Sequence, residues 1–409
     1  MKFTSRHFIR PIFLIFVSFF LLLSPVFPIR QDDEIIPPND ESEEMKLVNA
    51  HLKKINKPFV KSIKSPDGDI IDCVLFHSQP AFDLPELNST VPLNRPREPS
   101  NGHGRAGMKS ELKQIWSSKG ESCTPGTIPI RRTRKDDILR FNPISKFGKK
   151  FNSPIKTDYA NKGHEYAMGY VTGEYYGINA TLNVWAPYVA NQLEFSLSQV
   201  WVITDVSNHG MNTIEAGWQI YPKIYGNSTP RLFIYWTSDD YRNGCYNLLC
   251  SGFVQTNDKV ALGAALEPIS TYNNQQYEIN ILIWKDPNSK DWWLKVGSSV
   301  VGYWPSTLFT DLREHAGLIE FGGEVYNGHI SGSHTSTQMG SGHFAEEGFG
   351  KASYIKSIEL VDGENKLNRV SKMNLDVDNP NCYDVTSGYA DNWGSYIYFG
   401  GPGNNPKCL

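Results

Sequence analysis

Two glutamates stand in surroundings that usually exclude charge. Glu215 lies in Ile214-Glu215-Ala216-Gly217-Trp218-Gln219-Ile220-Tyr221. Glu324 lies in Leu318-Ile319-Glu320-Phe321-Gly322-Gly323-Glu324-Val325-Tyr326. Both runs are apolar, aromatic and glycine-bearing, and a carboxylate there is costly unless it is paired or protonated. Two carboxyls in half-buried strands are therefore a candidate acid–base pair. One holds a proton and donates a hydrogen bond to a substrate carbonyl; the other is ionised and activates water. Close like charges split such a titration into two apparent values that belong to the pair. The chemistry is hydrolysis in acid, with no metal and no covalent intermediate.

Strand alternation assigns the faces. Ile214, Ala216, Trp218 and Ile220 share one face of the first run; Glu215, Gly217, Gln219 and Tyr221 share the other. In the second run Ile319, Phe321, Gly323 and Val325 form an apolar face. Leu318, Glu320, Gly322, Glu324 and Tyr326 point the opposite way, so Glu320 competes with Glu324 for the second role. Glycines at 217 and 322 suggest close approach of a ligand backbone. Other chemistries lack their motifs: the chain has no G-x-S-x-G, no H-E-x-x-H and no P-loop. His329, His334 and His343 share a Gly/Ser-rich stretch, but their spacing fits no metal site, and neither a metal nor another cofactor is expected.

These strands belong to a chain whose character changes near residue 160. Before it, Met45, Val48, Leu52 and Ile55 recur at helical steps, which predicts a helix over 40–56 ended by Pro58. Val60–Ile63 and Ile70–Leu75 flank Ser65-Pro66-Asp67-Gly68 as a hairpin. The expected compact module spans about 40–90. Residues 91–122 read as a linker, and 124–159 as a basic, exposed and cleavable one. After residue 160, short alternating runs separated by Gly, Asn and Pro predominate: Ala180–Pro187, Phe195–Thr204, Arg231–Ser238, Tyr277–Lys285 and Lys351–Val361. That pattern predicts an all-β fold, an antiparallel β-sandwich or jelly roll, preceded by a small α+β segment.

Composition adds compartment and partners. Lys2, Arg6 and Arg10 precede the apolar core Ile12–Leu23, which is short for a membrane span, so residues 1–29 read as a signal peptide. No second apolar stretch reaches membrane length, and a secreted protein is expected. Six cysteines suit an oxidising compartment. A local pairing is expected: Cys245 with Cys250, Cys382 with Cys408, and Cys73 with Cys123. Asn88, Asn179 and Asn227 head glycosylation sequons. Residues 1–159 carry 25 Lys and Arg against 18 Asp and Glu, and residues 160–409 carry 15 against 25, giving the overall charge of −3. Halves of opposite sign suggest that one docks on the other. The basic half has no aromatic-interleaved stripe, so no nucleic-acid partner is expected.

Four further runs sharpen this picture. Ile214-Glu215-Ala216-Gly217-Trp218-Gln219, Tyr235-Trp236-Thr237-Ser238, Gly244-Cys245-Tyr246-Asn247-Leu248-Leu249-Cys250-Ser251-Gly252-Phe253 and His334-Thr335-Ser336-Thr337-Gln338-Met339-Gly340-Ser341-Gly342 resemble the neprosin family. These are plant secreted proteins whose namesake is a glutamic prolyl endopeptidase. The segment from Lys57-Pro58-Phe59-Val60 to Ile70-Ile71-Asp72-Cys73 is similar to that family's activation peptide. The resemblance covers nearly everything after the signal peptide. It implies a zymogen: a propeptide over 30–155, acting as an intramolecular inhibitor, and a β-sandwich peptidase over 156–409. It implies cleavage after proline in acid through Glu215 and Glu324. Trp218, Gln219, Tyr221, Tyr235 and Trp236 are the candidate substrate-binding residues, since aromatic walls suit a proline ring. Acid would loosen the basic segment, and cleavage near Lys146–Lys156 would release it. Two rivals use the same residues. Paired glutamates on a jelly roll also serve glycoside hydrolases, and a non-catalytic cell-wall or glycan-binding sandwich would use the ten tryptophans.

Overall fold

The computed structural model describes residues 42–87, 95–101, 113–150, 163–204, 210–328 and 333–408. The expected signal peptide, Asn88, His329 and residues 151–156 of the expected processing region lie outside them. The first part builds α1 (Glu43–Ile55), β1 (Phe59–Lys64), β2 (Ile70–Leu75), β3 (Ser100–Asn101), β4 (Thr127–Arg131) and α2 (Lys135–Leu139). Next come β5 (His164–Tyr175), β6 (Gly177–Asn183), β7 (Ser196–Ile203), β8 (Thr213–Ile220), α3 (Pro222–Tyr225), β9 (Arg231–Asp239) and β10 (Asn243–Tyr246). The last part holds β11 (Val254–Gln255), β12 (Glu278–Lys285), β13 (Trp292–Val296), β14 (Ser299–Trp304), β15 (Ala316–Tyr326), β16 (Ser353–Val361), β17 (Lys366–Arg369), β18 (Asn374–Val377), β19 (Asp384–Ala390) and β20 (Gly394–Gly400).

Two large sheets form a sandwich. One runs β10-β9-β8-β7-β15-β5-β18, and its pairs are antiparallel. The other runs β11-β14-β13-β12-β6-β16-β17-β3, with β20 on β16 and β19 on β20. The apolar pleats predicted for the two glutamate strands line the space between the sheets. Ile214, Ala216, Trp218, Ile319, Phe321 and Val325 pack there with Ile281, Ile283, Trp292 and Leu294. Burying such a layer removes apolar surface from water and is the main drive for closing the sandwich. Trp218 Nε1 donates to the Asn183 carbonyl at 2.9 Å, a polar tie from one sheet to the other.

The N-terminal segment is larger and better ordered than its composition suggests. The hairpin β1–β2 gains a third strand, β4, paired antiparallel with β2. Residues 124–150 therefore do not behave as the exposed linker predicted from their charge. Ile138, Phe141 and Phe147 are buried with Val48 and Ile55 of α1 against Leu197, Trp201, Tyr221, Phe233 and Tyr235 of the first sheet. Apolar residues spaced among the basic ones supply this packing, and hydropathy averaged over the stretch hides them. Part of the upstream linker is also anchored. β3 pairs parallel with β17, and Trp284 Nε1 donates to the Arg97 carbonyl at 3.1 Å. The cysteines close as Cys73–Cys123, Cys245–Cys250 and Cys382–Cys408.

Candidate active site

Register places the glutamates. β7 is the central strand, with β8 on one side and β15 on the other. Gln199 of β7 pairs with Gly217 on β8 and with Gly322 on β15. One pleat along, Trp201 faces Glu215; one pleat back, Leu197 faces Glu324. Directly paired residues point to the same side of a sheet. Glu215, Gln199 and Glu324 thus form a diagonal across three strands, on the side opposite the sandwich core.

Side chains close that diagonal. Gln199 Nε2 donates to Glu215 Oε2 at 3.2 Å and to Glu324 Oε2 at 3.5 Å. Lys150 Nζ donates to the same two oxygens, at 3.0 Å and 3.4 Å. Neither glutamate has any solvent-exposed surface. The two carboxylates are therefore brought together, and a lysine of the N-terminal segment is wedged between them. Their outer oxygens have different neighbours. Glu215 Oε1 accepts from Thr213 Oγ1 and Tyr241 OH, each at 3.0 Å. Glu324 Oε1 accepts from Tyr166 OH at 3.3 Å and meets His164 Nδ1 at 2.6 Å.

Charge follows geometry. Burial alone would raise the pKa of Glu324, but the Lys150 ammonium and the His164 contact outweigh it and hold the carboxyl below its ordinary value. Burial likewise opposes charge on Lys150, yet the two glutamates raise its pKa above the ordinary lysine value. Burial, and then the nearby carboxylates, push the Tyr166 and Tyr241 hydroxyls well up, so both remain donors.

Lys150 reaches the pair because the chain before it is pinned. Phe147 is buried edge-on to Phe141, and Tyr246 N donates to the Gly148 carbonyl at 2.8 Å. Gly148 turns with φ +76°, and a Cβ there would lie 3.0 Å from Leu249 Cβ. The Lys150 ammonium also sits 5.1 Å from the centre of the Tyr241 ring.

The other predicted residues divide. Gln219, Tyr221 and Tyr235 lie on the side of the glutamates. Gln219 Nε2 donates to Tyr225 OH at 2.8 Å, while the Tyr221 and Tyr235 rings both pack on Tyr246. Trp218 and Trp236 do not line the site. Both belong to the core between the sheets, because the period of two sends neighbours of Gln219 and Tyr235 to the opposite face. Glu320 shares the strand and face of Glu324 but is only partly buried, opposite Tyr170 and Trp201. Gly217 and Gly322 have a different purpose from the one expected. A Cβ on Gly217 would stand 2.0 Å from the Ser198 carbonyl oxygen, and one on Gly322 would stand 2.5 Å from that of Ala167. Glycine permits close packing of the strands themselves there.

Asn179 sits in the middle of β6, with its amide donating to Glu359 at 3.1 Å, whereas Asn227 lies in the loop after α3. His334 Nε2 binds Glu165 Oε2 at 2.8 Å and His343 Nδ1 binds Glu347 at 2.8 Å. His334 lies near Cys382 and Cys408, whose sulfurs are bonded to each other and offer no thiolate. The sequence reading missed Gln199, His164, Thr213 and Tyr241, and counted Lys150 only as one basic residue among several. Gln199 carried a signal, as a lone amide within the apolar run Phe195–Thr204.

Two family models match the chain. Residues 192–402 match the family model described as Neprosin, and residues 62–170 match the Neprosin activation peptide. The second match runs past residue 155 into β5. Among solved structures, scytalido-glutamic peptidase with a peptide-based transition-state analogue is 9% identical with a TM-score of 0.32, over 57% of this chain and 97% of that one. SCP-B, a member of the eqolisin family of peptidases in complex with a tripeptide, is 9% identical with a TM-score of 0.31, over 57% and 96%.

Proposed function

This chain belongs to the Neprosin family, and on that premise we propose that it is the zymogen of a glutamic endopeptidase that cleaves after proline in acid. One observation carries the reading: Glu215 and Glu324, far apart in sequence, present one oxygen each to the same nitrogen in a fully buried site. Once Lys150 is withdrawn, a water in its place is within hydrogen-bond reach of both carboxyls. The ionised member takes a proton from that water as it attacks the carbonyl carbon. The protonated member donates to the carbonyl oxygen; the tetrahedral adduct then collapses, and the C–N bond breaks as the amine nitrogen takes the proton that the base removed from water. The Gln199 amide supplies an N–H where negative charge develops. His164 favours the charged form of Glu324, which supports Glu324 as the base and leaves Glu215 the acid.

In the unprocessed chain the N-terminal segment fills this site with Lys150 and covers it with Phe141 and Phe147. A lysine bonded to both glutamates occupies the place of the attacking water and blocks the pair. Acid favours release, because protonating either glutamate removes the attraction that holds the ammonium. Tyr221 and Tyr235 are the remaining aromatic candidates for the proline ring. Secretion and glycosylation at Asn227 are part of the same proposal.

The deciding experiment is a digest of proline-containing peptides beside oligosaccharides over an acid pH series, read by mass spectrometry. We expect peptide cleavage after proline, absent in Glu215→Gln and in Glu324→Gln. Sugar release with the same variant dependence would replace this reading with a glycosidase. Binding without turnover would leave a non-catalytic module.

A further inference from the structure

The N-terminal segment inserts a second buried charge into the same sheet face, and there the sign is reversed. Arg231 opens β9 and has no exposed surface. Its Nη1 donates to Asp69 Oδ2, and Asp67 Oδ2 lies 3.6 Å from Nη2. Asp67 and Asp69 belong to the β1–β2 hairpin, inside the activation-peptide match. From its own domain Arg231 has the Gly263 carbonyl at 2.9 Å, the Asn227 amide oxygen at 3.4 Å and the Tyr225 ring 5.0 Å below. All three are neutral, and Arg231 Nε has no partner. Asp69 is itself shared with Arg131 of β4, at 3.0 Å, and that arginine also binds Asp137 at 3.2 Å. Release of the segment thus removes Arg131 and Asp137 together with Asp69. Arg231 is then left without its described acidic partners, with only neutral groups of its own domain around it, and another anion can take the place of Asp69.

We propose that Arg231 in the released peptidase is the floor of a subsite for a carboxylate of the peptide substrate, and that Asp69 is its intramolecular stand-in. The inference rests on the peptidase reading above. Lys150 occupies the place of the reacting water, and Asp69 the place of an acidic substrate side chain, so the segment copies substrate at two points. Register gives the reach. Arg231 pairs with Gln219, four residues along β8 from Glu215. Gln219 pairs with Leu197, which pairs with Glu324. At a rise of about 3.4 Å per residue and a strand spacing of about 4.8 Å, the Arg231 backbone stands about 14 Å from that of either glutamate, or roughly four extended residues. The acidic position is therefore about four residues from the cleaved bond. A planar guanidinium fork on an aromatic face is suited to a two-point carboxylate contact.

The test uses the full chain activated in acid and assayed near pH 5, above the ordinary glutamate pKa of about 4.3. Peptides sharing one cleavage site carry Glu or Gln at each position up to five residues away on both sides. We expect one position, about four residues out, where Glu raises kcat/KM about tenfold, mainly through KM. Arg231→Gln removes that preference; Arg231→Lys keeps part of it. Equal cleavage of the Glu and Gln series by the wild-type protein overturns the subsite, whether or not the variants fold. If no peptide is cleaved, the peptidase reading fails separately. Equilibrium binding of the same peptides to the acid-treated chain then decides: tighter Glu binding, lost in Arg231→Gln, supports the site, and equal binding ends it.

Discussion

Lys150 Nζ stands 3.0 Å from Glu215 Oε2, and neither side chain is more than marginally exposed. The two residues come from opposite ends of the charge asymmetry, and their contact converts that asymmetry into a single buried pair. Breaking such a pair from one side costs about 3–5 kcal/mol, because the remaining charge is stranded. In Lys150→Met one carboxyl relieves that cost by taking a proton. We expect this variant to lose its N-terminal segment several-fold faster than wild type, and at higher pH. The check is the time course of the full-length band between pH 4 and 6. An unchanged course removes Lys150 from the latency mechanism.

Acid should loosen the unprocessed chain at two places. Burial raises Asp69, but Arg131 and Arg231 outweigh it and hold its pKa low, and Glu324 is also held low. A carboxyl lowered by folding contributes stability above its unfolded value, and that contribution is lost as pH falls through the folded value. Lys150 is raised, so its contribution is full below the ordinary lysine value of about 10.4 and is lost only in alkali. Thermal unfolding of full-length Glu215→Gln, which blocks self-cleavage, should therefore show a plateau near pH 5–8 and a fall below about pH 4. Asp69→Asn should flatten that fall; an identical slope would exclude the hairpin pair as a contributor.

His164 acts on Glu324, not on substrate, across a 2.6 Å contact. Its replacement by Asn removes a partner that favours the ionised carboxyl, so the pKa of Glu324 rises. We expect the acid limb of the activity profile to move to higher pH, with a loss of about 10–100-fold in kcat at the old optimum. A uniform loss with an unmoved profile would mean that His164 only supports packing.

Glu320 shares the strand and face of Glu324 but not its burial. Glu320→Gln should retain activity within about threefold, while Glu324→Gln loses at least a hundredfold. Kinetics on one peptide settle which glutamate is the second member of the pair.

Gly217→Ala tests the sheet and not the chemistry. An added Cβ meets the Ser198 carbonyl oxygen at 2.0 Å and Gln199 Cα at 2.6 Å, both backbone-bound and unable to yield alone. Overpacking of this kind costs about 1–3 kcal/mol or more. We expect a lower melting temperature and little folded protein; a variant as stable as wild type would show that the strands can separate there.

Much of this was written in the chain itself. Alternation of apolar and polar residues is a local property with a period of two. It placed Ile214, Ala216, Trp218, Ile319, Phe321 and Val325 in the core, and put both glutamates on the opposite face. The same rule, applied consistently, would have kept Trp218 and Trp236 out of the candidate site. Helical spacing and turn residues likewise gave α1 and the β1–β2 hairpin. What no local pattern specified was register: which strand lies between β8 and β15, and by how many residues each is offset. Those offsets set Gln199 on the diagonal between both glutamates, while packing of the N-terminal segment brings in Lys150, 65 residues from Glu215 and 174 from Glu324, and sets Asp69 on Arg231 across 162. Sequence fixes the type of each residue and the side of the strand it occupies. Only the paired sheets, held in register by long-range hydrogen bonds and a shared core, decide which charges meet.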